Sequence, residues 1–298
     1  MIINDARELS SPTAVALGFF DGVHLGHSSL IKKVKEVSTG NIKSVVYTFD
    51  VHPSSLFGHS TPMITPCENR LALLNSFEPD FIYIQKIDRD FLNITPENFV
   101  KDVLINKLGA VHIISGENYT FGKNKSGNSD LLKKICNENG IKYTVVPFSK
   151  EGENIISSTL IRSLLDKGEI PNANRMLGRC FSISGKVIHC REIGATLGFP
   201  TANILPKENS QLPMSGVYAT NTIVGGKSYP SITNVGTAPT FSENKLIIES
   251  HILDFKEDIY SQNITVEFLK LLRPQQKFPS VIMLVEQLKK DTETRRKI

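Results

Sequence analysis

The chain has no long apolar run, no C-x-x-C pair, no block of like charge, no internal repeat and no low-complexity segment. Each absence removes a class of protein. Nothing approaches the unbroken apolar stretch of a membrane span, and the opening MIINDARELS is too polar for a secretory signal. Cysteine is scarce: Cys67, Cys136, Cys180 and Cys190 are the four in 298 residues, and their spacing favours reduced thiols over a disulfide framework. The net charge of +4 comes from dispersed basic residues, which does not point to nucleic acid but leaves anionic small molecules open as ligands. A soluble cytoplasmic protein is expected, with neither a membrane nor a nucleic acid as partner. The sequence leaves the oligomeric state open. What is present is 40% hydrophobic residues, enough for the cores of one large domain or two ordinary ones.

Those apolar residues follow two different grammars. From Ala14 to about Pro147, the runs AVALG, SVVYTF, DFIYI, AVHIIS and YTVVP read as buried strands. Amphipathic stretches lie between them, such as Leu30, Ile31, Val34 and Val37 after His27, and Phe99, Val103, Leu104 and Leu108 after the Thr95-Pro96 start signal. This alternation predicts an α/β domain with a Rossmann-like parallel sheet covered on both faces, and ligands at the carboxyl ends of its strands. SSTLIRSLLDKGEI and PNANRMLG read as two further helices. From about Phe181 the runs FSISGKVIH, GVYATNTIV, SYPSITNVG, KLIIESHIL and NITVEFLKLL read as strands with no helix between them. They predict an all-β antiparallel barrel or sandwich, closed by a C-terminal helix around Val281 to Lys290. The expected organisation is one domain over 1–180 and a second over 181–298.

Two motifs in the first domain carry chemistry. GFFDGVHLGH, Gly18 to His27, ends a strand and opens a helix predicted to start at His27. Gly18 and Gly22 permit a tight turn and close approach of backbone to a ligand, and a helix N-terminus offers N–H groups to an anion. His24 and His27 read either as polar caps of this turn or as donors to the same anion. A zinc reading of H-x-x-H lacks a third His or Cys at helical spacing. In ISSTLIR, Ile156 to Arg162, hydroxyls gather at a helix start and Arg162 follows one turn in, a combination suited to a polyphosphate and also common as a plain helix start.

The pair HxGH and ISSTxIR resembles the nucleotidylyltransferase superfamily. The chain as a whole resembles the bacterial riboflavin kinase/FMN adenylyltransferase family, also called FAD synthetase. Its first half carries GFFDGVHLGH, TFDVHP, SGENYTFGKNKSG and ISSTLIR; its second carries LGFPTANI, GVYAT, NVGTAPTF and ESHILDF. Eight blocks in the expected order are far more specific than any one. The resemblance implies an enzyme whose first half joins FMN to ATP, giving FAD and pyrophosphate, with Mg2+ on the phosphates. It implies that His24, His27, Ser158 and Arg162 contact the ATP phosphates, with Gly18, Phe19, Phe20, Asp21, Gly22, Ser157 and Thr159 lining the nucleotide. Asn118, Tyr119 and Phe121 of GENYTFG would meet the flavin, or the two aromatics would simply plug the domain edge. Asp50, His52 and Pro53 would line the site.

In the second half the resemblance implies that Thr201 and Asn203 of GFPTANI hold Mg2+ and ATP phosphate. Glu249 is the implied base that takes the proton of the riboflavin ribityl hydroxyl. Three positions depart from the family pattern: Cys190 in place of glycine, Ala195 in place of arginine, and Gln275 in place of glutamate. Arg191 could replace the missing charge from a shifted position. The expectation is a working FMN adenylyltransferase whose barrel has lost most or all kinase activity and persists as a flavin-binding or structural domain. The alternatives are a fully bifunctional enzyme, a transferase of another acceptor on the same fold, and a non-catalytic flavin-binding regulator.

Overall fold

A computed structural model of the chain describes residues 1–6, 9, 11–52, 61–190, 193–237 and 246–298. Two compact units are present, Met1–Ser158 and Thr159–Ile298.

The first unit is built on strands β1 (Ile2–Ile3), β2 (Thr13–Leu17), β3 (Lys43–Phe49), β4 (Phe81–Gln85), β5 (Ala110–Gly116) and β6 (Lys142–Val146). All pair in parallel in the order β1-β4-β3-β2-β5-β6. Connections run outward in opposite directions from β2 and β5, so the strand order reverses between them. Ligands of such sheets bind beyond the carboxyl ends of the strands at that reversal. β1 was not expected from the sequence, because two apolar residues show no period.

Alternate residues of the strands feed two cores, as the two-residue strand period requires. Ala14, Ala16 and Val46 pack with Ile31 and Val34 of α1 (Leu25–Val37) and Leu74 of α2 (Cys67–Asn75). On the other face Val15, Leu17 and Tyr47 pack with Phe99 and Leu104. The short helices α3 (Arg89–Leu92) and α4 (Pro96–Asn98) lead into Phe99–Lys107, which is wound as a π-helix rather than the expected α-helix. Thr95 caps the start of α4, accepting from Asn98 N at 3.2 Å. Helix α5 (Ser129–Glu138) completes that face, and a small hairpin of β7 (Lys150–Glu151) and β8 (Asn154–Ile155) precedes the second motif.

Helices α6 (Ser158–Asp166) and α7 (Ile170–Leu177) follow, and Gly178 ends α7 in the left-handed conformation. From Thr159 these helices group with the barrel because α7 packs on its strands β9 (Phe181–Ile188) and β14 (Asn263–Pro274). The barrel is closed and antiparallel in the order β10-β13-β12-β11-β14-β9, with β10 at Ala202–Ile204, β11 at Gly216–Val224, β12 at Lys227–Thr237 and β13 at Leu246–Ile252. Two sequence expectations need correction here. A helical turn, α8 (Ile193–Thr196), interrupts the run of strands, and the PTAN block contributes the short strand β10, whose three residues are too few to show alternation. Inside, Thr220, Thr222, Ser231, Thr233 and Ser250 bury their hydroxyls and satisfy one another at 2.7 to 3.1 Å. Helix α9 (Val281–Arg296) runs past the predicted Lys290 and is fastened by Asp291 to Arg273 and by Arg295 to the Thr220 carbonyl.

Candidate functional site

The loop after β2 is held in an unusual shape by its own residues. Gly18 has no room for a side chain, since a Cβ there would stand 2.8 Å from the Phe20 ring. Phe20 (φ 61°), Gly22 (φ 79°) and Val23 (φ 38°) follow in left-handed backbone. For the phenylalanine and the β-branched valine this costs on the order of 1–3 kcal/mol each, a strain that concentrates at functional sites. Burial of Phe20 and a set of tethers offset it. Asp21, 3% exposed, accepts from Ile64 N at 3.2 Å and Thr65 N at 3.1 Å. Thr48 of β3 donates to the Phe19 carbonyl at 3.0 Å. Asp21 therefore organises the loop with both carboxylate oxygens.

Helix α1 starts at Leu25, not at His27, so His24 is its N-cap and His27 lies in its first turn. The difference arises because the histidine itself does the capping: His24 Nδ1 accepts from His27 N at 3.3 Å. A neutral His24 bonded in this way carries its proton on Nε2, a hydrogen-bond donor. The two imidazoles stack, with centroids 3.6 Å apart and planes at 16°. Two rings thus share the positive end of α1 with the amides of its first turn, an arrangement that suits an anion.

The second motif meets this loop. Ser158 Oγ, at the start of α6, donates to the Asp21 carbonyl at 2.9 Å, and the Ile156 carbonyl lies 3.8 Å from where a Cβ on Gly26 would stand. Ser157 precedes this contact. Thr159 and Arg162 are counted with the second unit, Arg162 one turn after Ser158 on α6.

After β5 the chain turns at Gly116–Tyr119 and leaves Asn118 exposed at the strand's carboxyl end. Tyr119 and Phe121 behave differently. Their rings stack on each other at 5.7 Å, Phe121 is 6% exposed against Phe99 and the backbone of Gly127, and burial drives the Tyr119 hydroxyl far above its usual pKa. Phe121 belongs to the core beneath the loop, and the partly buried Tyr119 packs against it. After β3, Asp50 accepts from Ile87 N at 3.1 Å and His52 stands edge-on to Phe19 at 4.6 Å. Pro53 lies outside the described residues.

On the barrel, Asn203 of β10 pairs in register with Glu249 of β13, and Glu249 with Asn234 of β12. Residues directly opposite on paired strands face the same side, so the three form one row. Asn234 Nδ2 donates to Glu249 Oε2 at 2.9 Å, and Gln275 Nε2 donates to Asn234 Oδ1 at 3.3 Å. Asn203 donates to the Thr201 carbonyl at 3.2 Å while its buried Oδ1 has no hydrogen-bond partner among the described residues, an oxygen suited to a hard cation. The Cys190 thiol is pushed up by burial and then by the Glu249 carboxylate. Arg191 lies outside the described residues, as does the side chain of Ala195. Sequence reasoning quoted Asn234 only as the first residue of the NVGTAPTF block and gave it no role in the site. It also missed Arg70 of α2, which is fully buried against the Phe19 ring.

Comparison with known proteins covers both units. A family model for FAD synthetase matches residues 6–160, and one for riboflavin kinase matches residues 177–298, a span that includes Cys190, Ala195 and Gln275. Three curated proteins named bifunctional riboflavin kinase/FMN adenylyltransferase are similar along most of their length. That of Listeria monocytogenes is 34% identical over 287 residues, covering 95% of this chain and 91% of that protein. The Bacillus subtilis protein is 32% identical over 292 residues, 96% of this chain and 92% of the relative. The Escherichia coli K12 protein is 34% identical over 286 residues, 95% and 91%. A solved structure described as a macrolide-efflux protein from Streptococcus pneumoniae superposes with a TM-score of 0.89 at 29% identity, covering 99% of this chain and 98% of that one. Among the described residues no helix is long and apolar enough to cross a membrane. None of these matches sets the barrel apart from the relatives named riboflavin kinase, so the expected loss of kinase activity gains no support. Parallel-sheet unit and barrel are thus matched in turn and jointly by the same relatives, and the chain belongs to the bifunctional riboflavin kinase/FMN adenylyltransferase family.

Proposed function

We propose that the chain makes FAD in two ATP-dependent steps at two centres. The barrel transfers the γ-phosphoryl group of ATP to riboflavin, giving FMN and ADP. The parallel-sheet unit transfers AMP from a second ATP to FMN, giving FAD and pyrophosphate. The observation that carries the second step is the stacked His24–His27 pair at the N-terminus of α1, with Ser158 tied to the same loop.

In adenylyl transfer an FMN phosphate oxygen attacks the α-phosphorus of ATP, one P–O bond forms, and the bond to the leaving pyrophosphate breaks. The nucleophile is already ionised at neutral pH, so the site needs no strong base. It needs alignment and donors where charge develops. His24 and His27 supply ring donors there, the first turn of α1 supplies amides, and Ser158 and Arg162 serve the β- and γ-phosphates. Gly18, Phe19, Phe20, Asp21 and Gly22 shape the nucleotide loop from behind, and Ser157 and Thr159 are assigned to the nucleotide as well. On the flavin side Asn118 is the favoured contact, with Tyr119 and Phe121 as its support.

In the barrel a hydroxyl attacks, and a hydroxyl benefits from a base. Glu249, oriented by Asn234, takes that proton. Thr201 and the Asn203 Oδ1 would hold Mg2+, which when bound neutralises phosphate charge; substrate phosphates and water would complete its oxygen shell. The functional division is placed at 180/181, where β9 begins, and the chain is assigned to the cytoplasm.

The test incubates the purified chain with magnesium and ATP plus either riboflavin or FMN, and separates the flavins by chromatography. FMN and FAD from riboflavin are expected, with Glu249→Gln abolishing the first step but leaving FAD formation from FMN. FAD from FMN with riboflavin untouched would restore the silent-barrel alternative. No FAD from FMN would overturn the assignment of the parallel-sheet unit.

A further inference from the structure

Arg70 heads the fully buried side chains of the described residues by volume, yet it carries a full charge. Its Nη2 donates to the carbonyl of Phe49, the last residue of β3, at 2.6 Å, with Cys67 Sγ at 3.7 Å. Its guanidinium carbon lies 4.1 Å from the centroid of the Phe19 ring, a stacked cation–π contact. Nε and Nη1 are buried with no hydrogen-bond partner, and no ion pair involves Arg70 among the described residues. Burial lowers its pKa, while Cys67, Asp21 and Asp50 act to raise it.

Packing alone does not explain this residue. An apolar side chain of similar volume would avoid both the desolvated charge and the unused N–H groups. What the guanidinium does touch is specific. Phe19 belongs to the loop that delivers His24, and Phe49 ends the strand next to β2, so one planar group braces the carboxyl ends of two neighbouring strands at the ligand edge of the sheet. A fork that stacks and donates at once is available to arginine and not to lysine.

We propose that Arg70 is a positioning residue for adenylyl transfer. By clamping Phe19 and the end of β3, it fixes the 18–24 loop so that His24 and the amides of α1 are aligned on the phosphates. This inference rests on reading the unit as an FMN adenylyltransferase.

The test is steady-state kinetics of FAD formation on the full chain for wild type, Arg70→Lys, Arg70→Met, Phe19→Leu and the Arg70→Met/Phe19→Leu double variant. Riboflavin phosphorylation and thermal melting of the same preparations report folding. Arg70→Met is expected to lower kcat by about tenfold or more while KM for FMN stays within about twofold, because misalignment acts on the transition state. Arg70→Lys is expected to fall between wild type and Arg70→Met. The double variant is expected to be no slower than Arg70→Met, since a residue acting through Phe19 has nothing further to lose. Should Arg70→Met fail to fold, a loss of about threefold or more in kcat for both Arg70→Lys and Phe19→Leu supports the clamp, and wild-type rates from both overturn it. Wild-type kcat in Arg70→Met, or independent multiplying effects in the double variant, also overturn it. A wild-type chain that makes no FAD fails the underlying reading instead, which is a distinct result.

Discussion

On the proposed reading, His24 combines two jobs in one ring. Its Nδ1 caps α1 through the His27 amide, and that bond fixes the proton on Nε2, so the backbone dictates the tautomer. Removing a donor of this kind typically costs about 3 kcal/mol in the transition state, roughly a hundredfold in rate. His24→Ala is therefore expected to lower kcat for FAD formation by about two orders of magnitude. Measured helix stability should drop by only about 1 kcal/mol for the lost cap. A variant with near-normal kcat would leave His24 with capping alone. At the same scale, HxGH singles out His24 by its company, whereas Tyr119 and Phe121 carry two readings in the sequence because aromatic residues in a loop read alike whether they face a flavin or the core. In the structure Phe121 is buried with its ring on Phe99.

At the scale of elements, β5 and β6 are linked beyond their ladder by His112, whose Nε2 lies 2.8 Å from the Thr144 hydroxyl. Burial lowers the His112 pKa, and Lys142 and Lys33 lower it further. The sign of the consequence follows from linkage. Below the ordinary imidazole pKa of about 6.5 the unfolded chain binds a proton that the folded chain resists, so stability falls as pH drops from there towards the folded value. Thermal melting between pH 7.5 and pH 5, on the order of one titration either side of neutral imidazole, should show this loss, and His112→Gln should flatten it. An unchanged slope would place the acid sensitivity elsewhere. Most elements were legible because their apolar periods are local. The exceptions, β1, β10 and α8, are too short to display a period, and the π-helical winding of Phe99–Lys107 leaves the apolar pattern of an α-helix nearly intact.

For the whole molecule, the barrel depends on how its last helix is attached. Asp291, 4% exposed, receives Arg273 Nε at 3.0 Å and Nη2 at 2.9 Å, and Gln287 at 2.8 Å. Asp291→Ala leaves a guanidinium with 15% side-chain exposure facing no carboxylate. The expected cost is about 3–5 kcal/mol, the usual penalty for orphaning one partner of a buried pair. Urea denaturation followed by a barrel-sensitive probe measures it; a loss below about 1 kcal/mol would class the pair with exposed ion pairs. The riboflavin kinase assay on the same variant would report whether the row Asn203–Glu249–Asn234 survives loosening of α9.

The sequence by itself determined the class of each half, and its motifs supplied the residues on which the proposed phosphate chemistry rests. These follow from the period of apolar residues and from motifs a few residues long, which are short-range properties of the chain. Tertiary structure decided which side chains meet. The parallel crossovers bring Arg70 onto Phe19 and Phe49, Ser158 onto Asp21, and the barrel register brings Asn234 onto Glu249. Such contacts join residues from 15 to 137 positions apart. No local pattern encodes them, because a charged residue on a helix is ordinarily solvated and only the packed strand ends around Arg70 make it otherwise.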